Sequence, residues 1–291
     1  MTQVLGLVVS MNAATSRPYG SWPSPITAKL ITTSGVRLGG STVDSEGTLH
    51  WLEGRPQEKG RQVVVRYDPK NEAASSRGAV DVSPTDVNVR TRVHEYGGKS
   101  FILEPDGGLI YSDFASQRLF RLPAGGGTPT CLTPESAWAD GKYRFADGVL
   151  DPIGGRIVCV REDHSDSAPS KVKNEVVSVS LDGSGEMSVL ATGRDFYAHP
   201  RLSADGSQLA YVAWDHPNMP WDATELRRRD VSAASDAAAE TSTHTLVAGG
   251  DGDTSVLQPS WHPTSNALWF VADSSGWYPL HRELDFHWPS I

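Results

Sequence analysis

Asp106-Gly107-Gly108-Leu109-Ile110-Tyr111 reads as a tight turn followed by an alternating apolar strand, and the pattern recurs along the chain. Glu46-Gly47-Thr48-Leu49-His50-Trp51 precedes it, while Gly154-Gly155-Arg156-Ile157-Val158-Cys159, Gly206-Ser207-Gln208-Leu209-Ala210-Tyr211 and Ser265-Asn266-Ala267-Leu268-Trp269-Phe270 follow. In each copy an aliphatic residue stands two places before a usually aromatic one, a spacing that puts both on one face of a strand. Turns rich in Gly, Asp or Asn ahead of such strands join antiparallel neighbours. Measured from Leu49, Leu109, Ile157, Leu209 and Leu268, the copies lie 60, 48, 52 and 59 residues apart. A four-stranded propeller blade takes ~40–50 residues, so blades with loop insertions fit. The predicted fold class is all-β: a β-propeller of four-stranded antiparallel blades, with about five blades present and the set incomplete.

Further extended stretches supply third strands. They are Gln62-Val63-Val64-Val65-Arg66-Tyr67, Arg118-Leu119-Phe120-Arg121-Leu122 and Glu175-Val176-Val177-Ser178-Val179-Ser180-Leu181. Pro200-Arg201-Leu202-Ser203-Ala204-Asp205-Gly206 and Pro259-Ser260-Trp261-His262-Pro263 put a large apolar side chain on the strand before the turn. Stacked repeats of this kind bury faces that a lone blade leaves open. Between Ser232 and Thr245 small and acidic residues dominate, and Ala237-Ala238-Ala239-Glu240 reads as a mobile inter-strand loop with nothing to anchor it. Long segments of 3.6-residue period are scarce, which disfavours an α/β fold.

Composition narrows the functional classes. Nine Trp, eight Tyr and seven Phe within 38% hydrophobic residues supply a core and argue against wholesale disorder. A formal charge of -9 opposes a phosphate backbone, and the densest basic run, Arg227-Arg228-Arg229, is short, so no nucleic-acid partner is expected. Cys131 and Cys159 are too few for a disulfide framework or a zinc site, and read as small apolar strand residues. Val4-Leu5-Gly6-Leu7-Val8-Val9 lacks the preceding cation of a secretory signal, and no run approaches the ~20 apolar residues that span a bilayer. No membrane partner is expected, and the cytoplasm is the default compartment, with an organelle left open.

Rarer strings sit on this repeat. Arg90-Thr91-Arg92-Val93-His94-Glu95-Tyr96-Gly97-Gly98 and Trp214-Asp215-His216-Pro217-Asn218-Met219-Pro220-Trp221-Asp222 are the most specific. Tyr19-Gly20-Ser21-Trp22-Pro23-Ser24-Pro25-Ile26-Thr27-Ala28, Glu53-Gly54-Arg55-Pro56, Arg161-Glu162-Asp163-His164, the stretch from Asp195 to Ser203 and Ser274-Ser275-Gly276-Trp277-Tyr278-Pro279-Leu280 accompany them in order. Together they resemble the N-terminal propeller of prolyl-oligopeptidase-family serine peptidases, among the dipeptidyl aminopeptidase and acylaminoacyl-peptidase relatives. The resemblance runs over residues 19–283, with 1–18 an N-terminal extension and 284–291 a divergent tail. It implies a propeller, commonly seven-bladed, that caps an α/β-hydrolase domain, restricts access to its active site and orients the substrate's amino end.

The hydrolase nucleophile of that family sits in a Gly-x-Ser-x-Gly elbow. Gly39-Gly40-Ser41 and Gly98-Lys99-Ser100 begin the pattern without the closing Gly, so no catalytic residue is nominated. The expectation is a chain cut short before its catalytic domain and inactive as a peptidase. Its partners would be the missing hydrolase domain and, through the parent enzyme, a peptide substrate. Closure of a smaller ring, or completion by a homo-oligomer, is the alternative to truncation; a non-catalytic scaffold holding a protein or peptide is the alternative function.

Six residues stand as substrate-binding candidates. His94, Glu95 and Tyr96 precede a Gly pair that permits close backbone approach, and a propeller carboxylate suits a substrate ammonium. The competing reading pairs Glu95 with Arg90 or Arg92 at a blade junction. Arg161 lies in a mixed-charge strand end, where a salt-bridged loop competes with substrate contact. Asp215 and His216 belong to a loop whose Trp214 and Trp221 either line the cavity or close a small core of their own. Neither His94-Glu95 nor His164 has the spaced partners of a metal ligand, and Asp251-Gly252-Asp253 lacks the closing Glu of a calcium loop. Gly125-Gly126-Gly127 has no following Lys-Ser/Thr pair for phosphate. No cofactor and no metal are expected.

Overall fold

The computed structural model describes residues 16–32, 35–70, 78–133, 142–151, 153–166, 168–231 and 244–283. The Ser232-to-Thr245 insertion lies almost wholly outside them, and the tail 284–291 does so entirely. Two compact units divide the chain at Gly35 and Val36. In the first, a single short helix, α1 (Ala28–Thr32), is capped where Thr27 Oγ1 accepts the Leu30 N–H at 3.0 Å.

The second unit is the propeller. Its first sheet is β1 (Arg37–Val43), β2 (Leu49–Arg55), β3 (Arg61–Tyr67) and β4 (Val80–Asp81); its second is β5 (Phe101–Leu103), β6 (Leu109–Ser112), β7 (Leu119–Leu122) and β8 (Thr130–Cys131). The third holds β9 (Tyr143–Asp151), β10 (Arg156–Asp163), β11 (Lys173–Ser180) and β12 (Met187–Ala191). The fourth holds β13 (Phe196–Leu202), β14 (Gln208–Trp214), β15 (Glu225–Asp230) and β16 (Thr245–Gly249), and the fifth β17 (Val256–Trp261), β18 (Leu268–Ala272) and β19 (Leu280–Arg282). Every pairing is antiparallel between sequence neighbours, the up-and-down order of propeller blades. All five repeat anchors open or lie near the start of a second strand, and the three further stretches are third strands.

The recurring turn is a consequence of its Gly. Gly47, Gly107, Gly155 and Gly206 adopt φ of 87°, 88°, 61° and 70°, and Asn266 replaces them in the fifth sheet at 51°. Only Gly tolerates that backbone at no steric cost, and Asn is among the best substitutes. In the second and fourth turns the Gly N–H donates to the carbonyl three residues back, at 2.9 Å in both Gly107 to Glu104 and Gly206 to Ser203.

Four apolar cores lie between successive sheets. Val64 of the first meets Phe101, Leu109 and Tyr111 of the second; Ile110 and Leu119 meet Phe145, Ile157 and Val177 of the third. Val158, Val160 and Val176 meet Tyr197, Leu209 and Tyr211, and Val212, Trp214 and Leu226 meet Val256, Leu268 and Phe270. Each buried side chain of this size contributes about 1.5–3 kcal/mol, which is why sheets with one hydrophobic face stack radially. Among the described residues no such core joins the fifth sheet to the first. Leu38 and Val43 on β1 are exposed, as are Trp277, Tyr278 and Leu280 near β19. No helix among the described residues is long and apolar enough to cross a membrane.

Candidate functional site

The first strands of the sheets are interrupted at matching places. Register slips between Leu38 and Ser41, Ala198 and Arg201, and Leu257 and Ser260, and β9 slips where Val158 and Val160 of β10 face it. These are β-bulges, which bend a strand and re-aim its side chains. Asp147, His199 and Gln258 stand at the bulges of β9, β13 and β17 with φ of 57°, 53° and 54°, a region costly for non-Gly residues. Asp147 and His199 line a cavity of about 650 Å³, the shaft, together with Gly40 to Thr42 of β1, Ala198 and Arg201 of β13 and Leu257 of β17.

The segment before β5 enters this region as a wedge. Val93 is fully buried in the core between the third and fourth sheets, which anchors the residues that follow. His94 and Glu95 take φ of 56° and 64°, and the Gly97 N–H closes the turn on the Val93 carbonyl at 2.8 Å. The His94 ring packs among Tyr96, Phe196 and Trp214 at centroid distances of 5.6, 5.9 and 5.5 Å. Its Nε2 lies 3.1 Å from the Tyr197 carbonyl, so that nitrogen carries the proton and donates. At the far end of the wedge Gly98 is pressed against Asp147, where a Cβ would come within 2.9 Å of Oδ1.

His94 forms the partition between the shaft and a second cavity of about 650 Å³, the side pocket, bounded by Glu95, Arg144, Glu162, His164, Asn174, Asp195, Phe196 and His216. Glu162, on β10, faces the wedge from below. Its Oε1 accepts the His94 N–H at 2.6 Å, and Oε2 lies 2.9 Å from His164 Nε2 and 3.7 Å from Arg144 Nη1. Arg144 Nη1 also donates to Glu95 Oε1 at 2.6 Å and to the Arg92 carbonyl at 3.0 Å. That hydrogen bond holds the Glu95 carboxyl below its ordinary range. Arg90 and Arg92 lie instead over the Phe114 ring, so the partner of Glu95 is Arg144 rather than either of them.

Of the six candidate residues, His94, Glu95, Tyr96 and His216 line one or both cavities. Asp215 supports them from behind: it accepts from Arg194 Nη1 at 2.5 Å and from the Asp195 N–H at 2.9 Å, and Asp195 accepts the His216 N–H at 3.0 Å. Arg161 lies apart, paired with Glu175 and stacked 4.6 Å over the Tyr143 ring. Trp214 and Trp221 do not form a core of their own. Trp214 is buried against Phe196 at 5.3 Å, while Trp221 is exposed and lines the shaft. Sequence reasoning did not single out Lys99, Asp147, His199 or Arg201 as shaft residues, nor Glu162 over its neighbour Arg161. Among the described residues no three His, Cys, Asp or Glu side chains converge as a metal requires. Asp251 instead accepts its own turn's N–H groups, from Asp253 at 3.1 Å and Thr254 at 2.9 Å.

Four sheets of four antiparallel strands and, among the described residues, a fifth of three, stacked about a lined shaft, define a β-propeller. No protein-family profile and no curated protein matches the chain. Solved structures do. A puromycin hydrolase superposes with a TM-score of 0.77 at 34% identity, and a puromycin-hydrolyzing peptidase of Mycobacterium tuberculosis with 0.77 at 33%. Each comparison covers 92% of this chain and 40% of the relative, so the chain spans well under half of their length. A putative TolB from Agrobacterium tumefaciens, at 16% identity and TM-score 0.54, shares the fold alone. The chain is homologous to the N-terminal propeller of prolyl-oligopeptidase-family peptidases.

Proposed function

We propose that this chain forms the substrate-gating propeller of a serine-type peptidase, admitting peptides to an α/β-hydrolase domain. The observation that carries the reading is the match over 92% of this chain to 40% of a puromycin hydrolase at 34% identity. Chemistry at the wedge supports it. The side pocket gathers Glu95, Glu162 and Asp195 against Arg144, an excess of carboxylate suited to a substrate's ammonium group. On this reading the hydrolase domain is the principal partner, the substrate is an aminoacyl or acylaminoacyl peptide, and the setting is the cytoplasm.

Assay of the chain alone against aminoacyl and acylaminoacyl chromogenic peptides should give no turnover sensitive to serine reagents. Joined to the hydrolase domain of a puromycin hydrolase, in place of that enzyme's corresponding propeller segment, it should restore turnover of short substrates. In that chimera Asp195→Asn and Glu95→Gln should raise KM for free-amino substrates about fivefold and leave acetylated ones unchanged. Turnover by the chain alone, or a chimera indifferent to both substitutions, would overturn the reading. A scaffold role is favoured by one observation, the exposed Trp277, Tyr278 and Leu280, and gains ground if the chimera is inert while the chain captures a defined partner through those residues.

A further inference from the structure

Lys99, just before β5, and Arg201, on β13, face the same shaft across roughly a hundred positions of sequence. Among the described residues neither side chain has a carboxylate within ion-pair distance. The Arg201 guanidinium donates only to the neighbouring Pro200 carbonyl, at 2.7 Å. Asp147 is the acidic residue of the shaft lining, and its oxygens are already engaged by main chain: Oδ1 accepts the Lys99 N–H at 2.7 Å and Oδ2 the His199 N–H at 3.2 Å. It therefore fixes the backbones that carry the basic groups without pairing with either cation. His199 Nδ1 lies 4.0 Å from Asp147 Oδ2 and adds a third basic group to the same wall.

Two cations on the lining of one cavity repel each other unless a counter-charge is present; Arg201 is half-buried and Lys99 exposed. The cost is visible in their protonation. Partial desolvation lowers the Lys99 ammonium and the Arg201 guanidinium from their ordinary values, with repulsion from Arg201 adding at Lys99 and the Asp147 charge opposing the shift at both. The backbone is also unusual here, since Asp147 and His199 hold left-handed conformations that few non-Gly residues adopt. Uncompensated charge and an unusual backbone at one place in a cavity are the marks of a ligand site.

We infer that the shaft binds the carboxylate of a free acid through Lys99 and Arg201, with an aromatic or aliphatic body of that acid against Tyr96, Trp221 and Leu257. Two cations less the charge of Asp147 leave a net single positive charge, which matches a carboxylate and gives a dianion one charge too many. Planar carboxylate oxygens suit the Arg201 fork, and the ammonium of Lys99 serves as a point donor. The apolar walls exclude a bare inorganic anion as the preferred occupant and make the C-terminus of a short peptide the fitting class. The site belongs to this chain alone and does not depend on the gating reading.

Titration of the full chain by tryptophan fluorescence tests this, because Trp214 and Trp221 line the shaft. The probes are N-acetyl-glycyl-phenylalanine as free acid, the same peptide as its C-terminal amide, and inorganic phosphate. The free acid should bind at least about tenfold tighter than the amide and weaken with added salt, as a charge-assisted contact does. Lys99→Gln and Arg201→Gln should each cost the acid about five- to tenfold and leave the amide unchanged, while Lys99→Arg retains binding. Equal affinity for acid and amide, no saturable binding of the acid, or phosphate binding as tightly as the acid would each overturn the assignment. Should the glutamine variants unfold, the acid-to-amide ratio on the unaltered chain decides it.

Discussion

The main-chain N–H of His94 donates to Glu162 Oε1 at 2.6 Å across 68 positions of sequence. One carboxylate thereby fastens the wedge before the second sheet to the second strand of the third. Glu162 is nearly inaccessible, its side chain 5% exposed, and it also meets His164 and Arg144. Removing it by Glu162→Ala leaves a partly buried N–H unpaired in a left-handed turn and a guanidinium short of counter-charge. The expected loss is about 2–4 kcal/mol in urea unfolding, with Glu162→Gln, which keeps an acceptor, losing about half as much. Trp214 emission should shift with the alanine variant, since the His94 ring packs on it. Equal losses for the two variants would mean that the hydrogen bond to the wedge contributes nothing.

Gly249 and Gly252 lie three positions apart and have φ of 76° and 84°, yet they should respond differently to alanine. A Cβ on Gly249 runs into the Thr224 carbonyl oxygen, and rigid backbone cannot yield as a side chain would. Around Gly252 the space is open. Gly249→Ala is expected to cost about 3 kcal/mol or more, whereas Gly252→Ala pays only the left-handed backbone, about 1 kcal/mol. Thermal unfolding of the pair separates the two effects.

How much of this was legible in the sequence follows from where the information is stored. The blade repeat could be read because turn and strand are contiguous: Gly107 and Leu109, or Gly206 and Leu209, specify a hairpin within a few residues. The shaft could not be read that way. Lys99 comes from the segment before β5 while Asp147 and His199 stand at bulges on two different strands, and the left-handed backbone at Asp147 and His199 has no compositional mark because neither is Gly. Within Arg161-Glu162-Asp163-His164 the choice between neighbours turned on which face of β10 looks toward the wedge. Strand alternation makes that binary, but its phase is set only by the packing of the third sheet on the fourth. Glu95 likewise found Arg144, a residue 49 positions on, rather than the arginines beside it.

His244 gives the stability a pH dependence that can be isolated. Tyr211 Oη lies 2.6 Å from His244 Nδ1, and burial, aided by the Arg229 and Arg227 charges, pulls the imidazole down to about 4. Its unfolded value is near 6.5, so the folded state resists protonation between the two. The contribution is therefore complete above about 6.5 and is lost as pH falls toward about 4. For a ring that is not fully enclosed, about 1 kcal/mol is the expected size after allowing for solvent screening. Unfolding free energies of the wild type and His244→Gln should converge over that interval, the variant having the shallower slope. Parallel profiles would exclude His244 as the source.

The two thiols should differ in reactivity. Cys159 is fully enclosed between the second and third sheets, and burial pushes its pKa up to about 12, so almost no thiolate forms near neutrality. Cys131, on β8, is only half-buried and contacts the Thr133 carbonyl at 3.5 Å. Iodoacetamide followed by intact mass is expected to add one label to the native chain and a second only in denaturant. Two labels on the native chain would show that the third sheet opens from its neighbour.

Arg161 offers a test of what separates support from binding in this fold. Its guanidinium lies over Tyr143, meets Met187 Sδ at 3.2 Å and pairs with Glu175, a residue 8% exposed that also accepts from Thr192 Oγ1 at 3.4 Å. It lines neither the shaft nor the side pocket. Arg161→Ala strands a buried carboxylate, and the expected loss is about 3–5 kcal/mol. Because both charges were desolvated to make the pair, Arg161→Met with Glu175→Leu should recover most of that loss, their side chains filling the same space without an ion to bury. Fluorescence titration with the free-acid peptide should give the same affinity for the double variant as for the wild type. A stable double variant that no longer binds would move Arg161 from the interior of its sheet into the functional surface.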